Sequence, residues 1–152
     1  MRIVPALFCL ATFTLPQAAR AQDAETQAVR ADIQAERTKL VAANLELTET
    51  EGTAFWPLYN DYRAQWSKLD DRSLGLLKDY ANNYDAMTDA KAKDLLQQQT
   101  KLDEDRLKLR RSYMDKFEKV LPSKKVTRYF QIERKLDAAV AYEAASSIPL
   151  VK

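Results

Sequence analysis

The sequence predicts an all-α protein, and three observations support this fold class. Among 152 residues there are only two glycines, Gly52 and Gly75, and five prolines, so residues that interrupt helices are scarce. Alanine, leucine, lysine, glutamate, glutamine and arginine dominate, which is typical of long helices. No stretch alternates apolar and polar residues with a period of two, the pattern of a half-buried strand. We therefore expect an elongated four-helix antiparallel hairpin.

Residues 1–21 read as a cleaved signal peptide. Met1-Arg2 gives a positive start, Ile3–Leu15 is mostly apolar, and Ala19-Arg20-Ala21 is a small-x-small site, which predicts cleavage after Ala21. The apolar run is shorter than the roughly 20 residues that span a bilayer, although a retained anchor is the alternative. Cys9 follows the bulky Phe8, which disfavours lipoprotein processing. We expect a periplasmic product without stable membrane insertion.

Residues 22–152 are expected to form one helical domain with little conventional catalytic chemistry. Arg2 and Arg20 are two of the 24 basic residues, so the mature chain would carry 22 basic and 22 acidic residues. This balance gives no general affinity for nucleic acid. The mature chain has no histidine or cysteine, which excludes Ser-His-Asp and Cys-His catalysis and removes the preferred zinc ligands. We expect no enzyme activity, no cofactor and no metal.

The first two helices are predicted at 24–44 and 49–84. The first carries a thin apolar stripe, namely Val29, Ile33, Leu40 and Ala43. The second opens with a capping box in which Thr48 and Glu51 satisfy each other's backbone N–H groups. Apolar and aromatic residues then recur at helical spacing as far as Tyr84. Pro57 lies inside this pattern and predicts a kink or a restart.

The last two helices are predicted at 89–120 and 124–145. Thr88 is the expected N-cap of the third helix. Leu95, Leu102 and Leu109 follow at intervals of seven, which predicts left-handed, nearly parallel packing on a neighbouring helix. Pro122-Ser123 is expected to end this helix and cap the next one. Residues 148–151 form a short apolar tail. One face of such long helices would stay open, and a second copy of the chain is the expected cover.

A short pattern occurs twice, 74 residues apart, at the start of the second and fourth helices. Leu47-Thr48-Glu49-Thr50-Glu51 precedes the aromatic pair Phe55-Trp56, and Leu121-Pro122-Ser123-Lys124-Lys125 precedes Tyr129-Phe130. We interpret both as helix starts that fix aromatic side chains in equivalent junctions, with coincidence between two caps as the alternative. The candidate junction residues are Leu47, Thr48, Glu51, Phe55, Trp56, Leu121, Ser123, Tyr129 and Phe130.

This doubled pattern resembles the Spy/CpxP family of periplasmic stress proteins, which carry two Leu-Thr-x-x-Gln motifs at helix starts. The first copy here has glutamate in place of glutamine, and the second is degraded, so the chain resembles a divergent branch. The resemblance implies a bent hairpin that dimerises into a cradle. It also implies a role in envelope stress, as an ATP-independent chaperone or as a restraint on a sensor kinase. Relatives that bind zinc use histidine or cysteine, so metal binding does not carry over.

Charge is distributed unevenly, with 12 basic and 6 acidic residues between positions 101 and 135. A basic partner surface is one interpretation, and a solvated face that pairs with the acidic first half of the fold is the other. The candidate residues are Arg106, Arg110, Arg111, Lys116, Lys119, Lys124, Lys125 and Arg128. A second cluster is aromatic, and it forms either core or a partly open floor for apolar clients. Its members are Trp56, Trp66, Tyr59, Tyr62, Tyr80 and Tyr84.

Two functions follow as hypotheses. The first is reversible, ATP-independent binding of partly unfolded envelope proteins by a homodimer. The second is a regulatory or structural module that binds one specific partner, such as the periplasmic domain of a sensor kinase. A chaperone would protect unrelated clients, whereas such a module would protect none.

Overall fold

The computed structural model describes the backbone of residues 15–151 and the side chains of residues 28–151. It contains four α-helices and one short 3-10 turn: α1 (Leu15–Leu45), α2 (Glu49–Asn83), the turn Tyr84–Ala86, α3 (Asp89–Glu118) and α4 (Ser123–Ser147). This confirms the predicted all-α, four-helix fold, and no strand occurs between residues 15 and 151. The apolar part of the predicted signal peptide up to residue 14 lies outside the described residues.

The helix bounds differ from the expected ones mainly at α1, which begins at Leu15 rather than near residue 24. Pro16 lies in the first turn, where a missing N–H breaks no helical hydrogen bond, and the alanines and glutamines that follow favour a helix. The other ends agree to within two residues, and residues 148–151 are not helical. None of the helices in the described range is long and apolar enough to cross a membrane.

The chain divides into two compact units, one ending at Leu40 and the other beginning at Val41. In the first unit, Val29, Ile33 and Leu40 of α1 are 53%, 54% and 45% exposed. In the second unit, Val41 and Leu45 of the same helix are fully buried. The apolar stripe read from the sequence is therefore not the stripe that enters the core.

Helix α2 begins at the predicted capping box and runs through Pro57 without a break. The Thr48 side chain accepts a hydrogen bond from the Glu51 N–H, and the Glu51 carboxylate accepts one from the Thr48 N–H. Pro57 and Thr53, whose carbonyl loses its helical donor, are both exposed. Water can solvate that carbonyl, and this explains why no restart occurs at the proline.

Helices α2 and α3 run antiparallel, because contacts that advance along α2 retreat along α3. The tilted rings of Tyr62 and Tyr113 have centroids 5.0 Å apart. Further along α2, Arg72 pairs with Asp105 at 2.7 Å, and Asp79 pairs with Lys91 at 2.6 Å. Thr88 caps α3 as predicted, since its side chain accepts from the Lys91 N–H. The hairpin of the second unit is therefore set by a ladder of side-chain pairs.

Helix α4 lies antiparallel to α3 and contacts both hairpin helices. Its Phe130 ring is 5.8 Å from Phe117 of α3 and 6.2 Å from Tyr62 of α2. The segment that follows α4 lies beside the end of α2, where the Tyr80 hydroxyl donates to the Pro149 carbonyl at 2.7 Å. The second unit thus places one end of each of three helices around a shared core.

The core of the second unit is aromatic and lies where α2 and α4 begin and α3 ends. Phe117 is fully buried at its centre, with ring centroids 4.8 Å from Tyr129 and 5.4 Å from Phe55. Edge-on and tilted ring pairs of this kind add stabilisation beyond the apolar area they bury. The buried members are Val41, Leu45, Phe55, Tyr59, Tyr62, Trp66, Tyr113, Phe117, Leu121, Val126 and Tyr129.

We expect Phe117→Ala to lower the free energy of unfolding by about 3–5 kcal/mol, because it removes a buried ring and leaves a cavity that its aromatic neighbours cannot fill. Leu107→Ala is the matched control, since Leu107 is on the same helix but 46% exposed; it should change stability by less than about 0.5 kcal/mol. Urea unfolding followed by far-UV circular dichroism measures both. Equal losses in the two variants would contradict this placement of the core.

Candidate functional site

The two copies of the sequence repeat contact each other at equivalent positions. Glu51 and Lys125 are 74 residues apart and form an ion pair at 2.6 Å. Phe55 and Tyr129 are separated by the same number of residues, and their ring centroids are 5.2 Å apart in an edge-on arrangement. The two helix starts therefore touch at equivalent residues and form one junction.

The first copy supplies a carboxylate to this junction, and the second copy supplies an ammonium group. Glu51 accepts from Thr48 within its own cap and also from Lys125, and these hydrogen bonds hold the pKa of its carboxyl below the ordinary 4.5. Lys125 also donates to the Glu46 carbonyl at 2.8 Å. Glu46 has a φ of 51°, an uncommon conformation for a residue with a side chain, and the lysine fixes it.

The second copy has no side-chain cap. Pro122 occupies the N-cap position, and Ser123 is the first helical residue rather than the predicted capping residue. Proline carries no hydroxyl or carboxylate that could accept from the helix N–H groups, and lysine at the fifth motif position cannot close a capping box. Lys125 instead forms an ion pair with Glu51 of the first copy.

The remaining junction residues also converge on this site. Leu121 is buried in the core, and Leu47, Trp56 and Phe130 are half-buried against it. The Trp56 ring lies edge-on to Phe55 at 5.0 Å, and the Phe130 ring lies at the same distance from Tyr129. The structure therefore brings every predicted junction residue to one place except Ser123, which is exposed and has no described role there.

Much of the predicted basic surface is directed inward instead. Arg106 and Arg110 lie over the Trp66 ring, with guanidinium carbons 5.9 and 5.4 Å from its centroid. Arg106 pairs with Asp70 of α2 at 3.2 Å, and Arg110 pairs with Asp137 of α4 at 3.6 Å. Burial raises the pKa of Asp70, an effect that the Arg106 charge opposes. These two arginines join helices and are not available as a free partner surface.

A third arginine completes this group and was not recognised in the sequence. Arg63 lies 6.0 Å from the Trp66 centroid and pairs at 3.4 Å with Glu133 of α4, whose side chain is only 2% exposed. A buried carboxylate is costly unless a cation and hydrogen bonds compensate it. No motif or spacing in the sequence connects Arg63 with Glu133, which lie 70 residues apart. We call Trp66, Arg63, Arg106 and Arg110 the arginine–tryptophan cluster.

The other predicted basic residues have different roles. The Lys116 ammonium lies 4.0 Å from the Tyr113 ring centroid. Arg128 has a 3.8 Å contact with Glu46, and both side chains are exposed. Four of the eight, Arg111, Lys116, Lys119 and Lys124, are exposed and have no carboxylate within 4 Å in the described part of the chain. Carboxylates from both halves of the fold pair with the inward cations, Asp70 with Arg106 and Asp137 with Arg110, and the outward cations stay open to solvent.

The aromatic cluster is mainly core. Tyr59, Tyr62 and Trp66 are buried, while Trp56, Tyr80 and Tyr84 are half-buried. Tyr113 of α3 is also buried, and its hydroxyl donates to Asp61 at 2.5 Å. Burial, together with that carboxylate, raises the pKa of Tyr113 to about 12. Half of the predicted cluster is therefore core, while Trp56, Tyr80 and Tyr84 keep part of their surface exposed.

Apolar burial decreases along the helices beyond the arginine–tryptophan cluster. Val140 lies 7 residues after buried Glu133 and 11 after buried Tyr129, hence on the same face of α4, yet it is 58% exposed. Leu77 continues the core-facing stripe of α2, 11 residues after Trp66, and is 38% exposed. In α3, Leu102 is buried but its heptad neighbours Leu95 and Leu109 are only half-buried. We call this surface the open apolar face; it comprises Leu69, Leu76, Leu77, Leu95, Leu136 and Val140.

Between residues 28 and 151 no group of three or more acidic, histidine or cysteine side chains is placed to hold a metal ion. Comparison of the chain with protein-family models, curated proteins and solved structures finds no match. The resemblance to Spy/CpxP proteins therefore stays a prediction that depends on the doubled motif.

We expect Glu51→Gln to lower the melting temperature at pH 7 while leaving α2 helical, because glutamine can still close the capping box but cannot form the ion pair with Lys125. The wild-type carboxyl has a lowered pKa, so its contribution is present above pH 4.5 and is lost as the pH falls below that value. Melting curves from pH 7 to pH 3 should show a larger fall for wild type than for the variant.

The matched control is Glu51→Gln in a Lys125→Met background, where the ion pair is already absent. There the substitution should have little effect at pH 7. A loss as large as in the wild-type background would show that the Glu51–Lys125 contact does not support the junction.

Proposed function

We propose that this protein is an exported, ATP-independent, chaperone-like protein that binds partly unfolded polypeptides reversibly on the open apolar face. The single observation that carries the proposal is the change in burial along α2, α3 and α4. Side chains on the core-facing stripes are buried around the aromatic core, whereas beyond the arginine–tryptophan cluster Leu77 and Val140 are 38% and 58% exposed. Leu69, Leu76, Leu95 and Leu136 are half-buried there, and Leu102 of α3 is the exception that stays fully buried.

The chemistry of this face suits weak binding of unfolded chains. Leucine and valine side chains provide apolar area worth about 25 cal/mol per Å² covered, without a shaped pocket that would select one ligand. Polar side chains such as Gln99 and Asp103 interrupt the stripe of α3 and are exposed. A client would therefore gain many small contacts and could dissociate as it folds.

Export is part of the same proposal. The positive start, the apolar run and the Ala19-Arg20-Ala21 site support cleavage after Ala21, in a periplasmic or equivalent envelope compartment. Cleavage would leave α1 to begin at Gln22 or later. The intact mass of the protein recovered from the exported fraction should correspond to residues 22–152. A mass that includes Met1 would contradict the signal peptide.

The alternative is a module that binds one specific partner, such as a sensor domain or another copy of the chain. The observation that favours it is a narrow exposed stripe on α3. Leu96, Leu107 and Met114 are 68%, 46% and 40% exposed, and their spacing of 11 and 7 residues places them on one face. Such a stripe matches a single partner helix better than an extended, irregular client.

The deciding experiment is suppression of aggregation. We expect residues 22–152, added without ATP, to reduce light scattering by two unrelated denatured proteins as they are diluted into buffer. Leu77→Ser/Val140→Ser should weaken this effect several-fold, because both substitutions reduce the apolar character of the open face. Val29→Ser/Ile33→Ser is the matched control, with side chains of similar type and exposure elsewhere on the chain, and should keep full activity.

Circular dichroism of each variant confirms that it is folded before it is assayed. If neither client is protected at a large excess of protein, the chaperone function is wrong and the partner-specific module is the better explanation. Sedimentation equilibrium in the same buffer gives the assembly state. A monomer across the micromolar range would contradict the homodimer that we propose alongside the chaperone function.

A further inference from the structure

The outward face of α4 carries a straight line of polar and basic side chains. Lys124, Arg128, Gln131 and Lys135 follow one another at steps of four, three and four residues. That spacing places all four on one side of a helix over about 16 Å, at 1.5 Å per residue. We call these four residues the α4 stripe.

Part of the α4 stripe borders a shallow recess of about 190 Å³, lined by Asn44, Arg128, Gln131, Ile132 and Lys135. Two lining residues are cationic and two carry amides, and Ile132 is a half-buried apolar side chain between them. A guanidinium binds a carboxylate through two parallel hydrogen bonds, whereas an ammonium acts as a point charge. Amides can donate to peptide carbonyls and accept from peptide N–H groups.

The positive charge of the α4 stripe is nearly uncompensated. Lys124 and Lys135 have no carboxylate within 4 Å in the described part of the chain, and Arg128 has only the exposed, 3.8 Å contact with Glu46. The acidic residues of α4 in the same stretch face the other way, because Glu133 pairs with Arg63 and Asp137 pairs with Arg110. Charge is therefore separated between the two sides of this helix.

We propose that the α4 stripe binds acidic polypeptide segments, with one carboxylate held by Arg128 and Lys135 in the recess and a second near Lys124. The inference rests on the proposed function only in taking polypeptide as the ligand, since it uses a different surface from the open apolar face. A line of single side chains with amides between the cations matches an extended peptide. A helix that lies in a membrane surface needs a broad apolar face beside its cations. The exposed residues beside or in line with the stripe, Thr127, Ala138 and Tyr142, supply one aromatic ring and no such face.

The test uses a fluorescein-labelled 12-residue peptide of alternating glutamate and serine, with fluorescence anisotropy as the readout. Wild-type protein should bind it, and binding should weaken as salt is raised, because exposed charges are screened. Arg128→Glu/Lys135→Glu should weaken binding at least tenfold. Lys93→Glu/Lys108→Glu is the matched control, since it makes the same change in net charge at two exposed lysines of α3. It should retain binding within about twofold, because it leaves the α4 stripe intact.

Three results would overturn the assignment: no binding of the peptide by wild type, an equal loss in both charge-reversed variants, or binding to vesicles of anionic lipid without binding to the peptide. The Leu77→Ser/Val140→Ser variant separates this inference from the proposed function. It should bind the acidic peptide like wild type even where it no longer suppresses aggregation. If peptide binding is lost together with aggregation suppression, the two surfaces are not independent and the α4 stripe is not the site.

Discussion

The contact between the two helix starts is the constraint from which the architecture of the second unit follows. Glu51 with Lys125 and Phe55 with Tyr129 hold the beginnings of α2 and α4 together. Since only four residues separate the end of α3 from the start of α4, the end of α3 must reach the same place, and α3 must run antiparallel to both neighbours. The aromatic core forms where these three ends meet, and its rings come from all three helices.

The arginine–tryptophan cluster marks where this core ends. Three guanidinium groups surround Trp66, and their carboxylate partners lie on α2 and α4, so each helix pair is joined by an ion pair. Of these, only the Arg63–Glu133 pair is buried. A buried ion pair adds little net stability compared with apolar packing, but it penalises alternative registers in which a charge would lose its partner. Beyond the cluster α4 carries several alanines, and these small side chains cannot fill the space beside the leucines of α2 and α3. Exposure at Val140 follows from that change in side-chain size.

Local chemistry was predictable from the sequence, and long-range pairing was predictable only in part. Thr48, Thr88 and Pro122 set helix ends through hydrogen bonds made within four residues, so sequence reasoning placed those ends to within two residues. Which face of α1 is buried was not predictable, because periodicity alone does not rank two apolar stripes on one helix. Val41 and Leu45 are buried, while Val29, Ile33 and Leu40 are exposed. The position of two members of the basic stretch was not predictable for a related reason, since a count of charges along the chain does not show that Arg106 and Arg110 have carboxylate partners on other helices. The repeat did carry long-range information, because equivalent positions with opposite charges, Glu51 and Lys125, turned out to be neighbours.

Helix α4 connects these results, because its two sides have different chemistry and different relations to the fold. Its inner side is fixed to α2 and α3 by Glu133, Asp137 and the aromatic residues, and beyond Asp137 it becomes exposed. The cations on its outer side form no close ion pair within the described part of the chain. A ligand there would therefore disturb only the weak Arg128–Glu46 contact. Apolar binding on the inner side strengthens with the area removed from water and depends little on salt, whereas ionic binding on the outer side is screened by salt. A chain segment that is both apolar and acidic could engage both sides at once, and the linked contacts would raise its affinity above that of either surface alone.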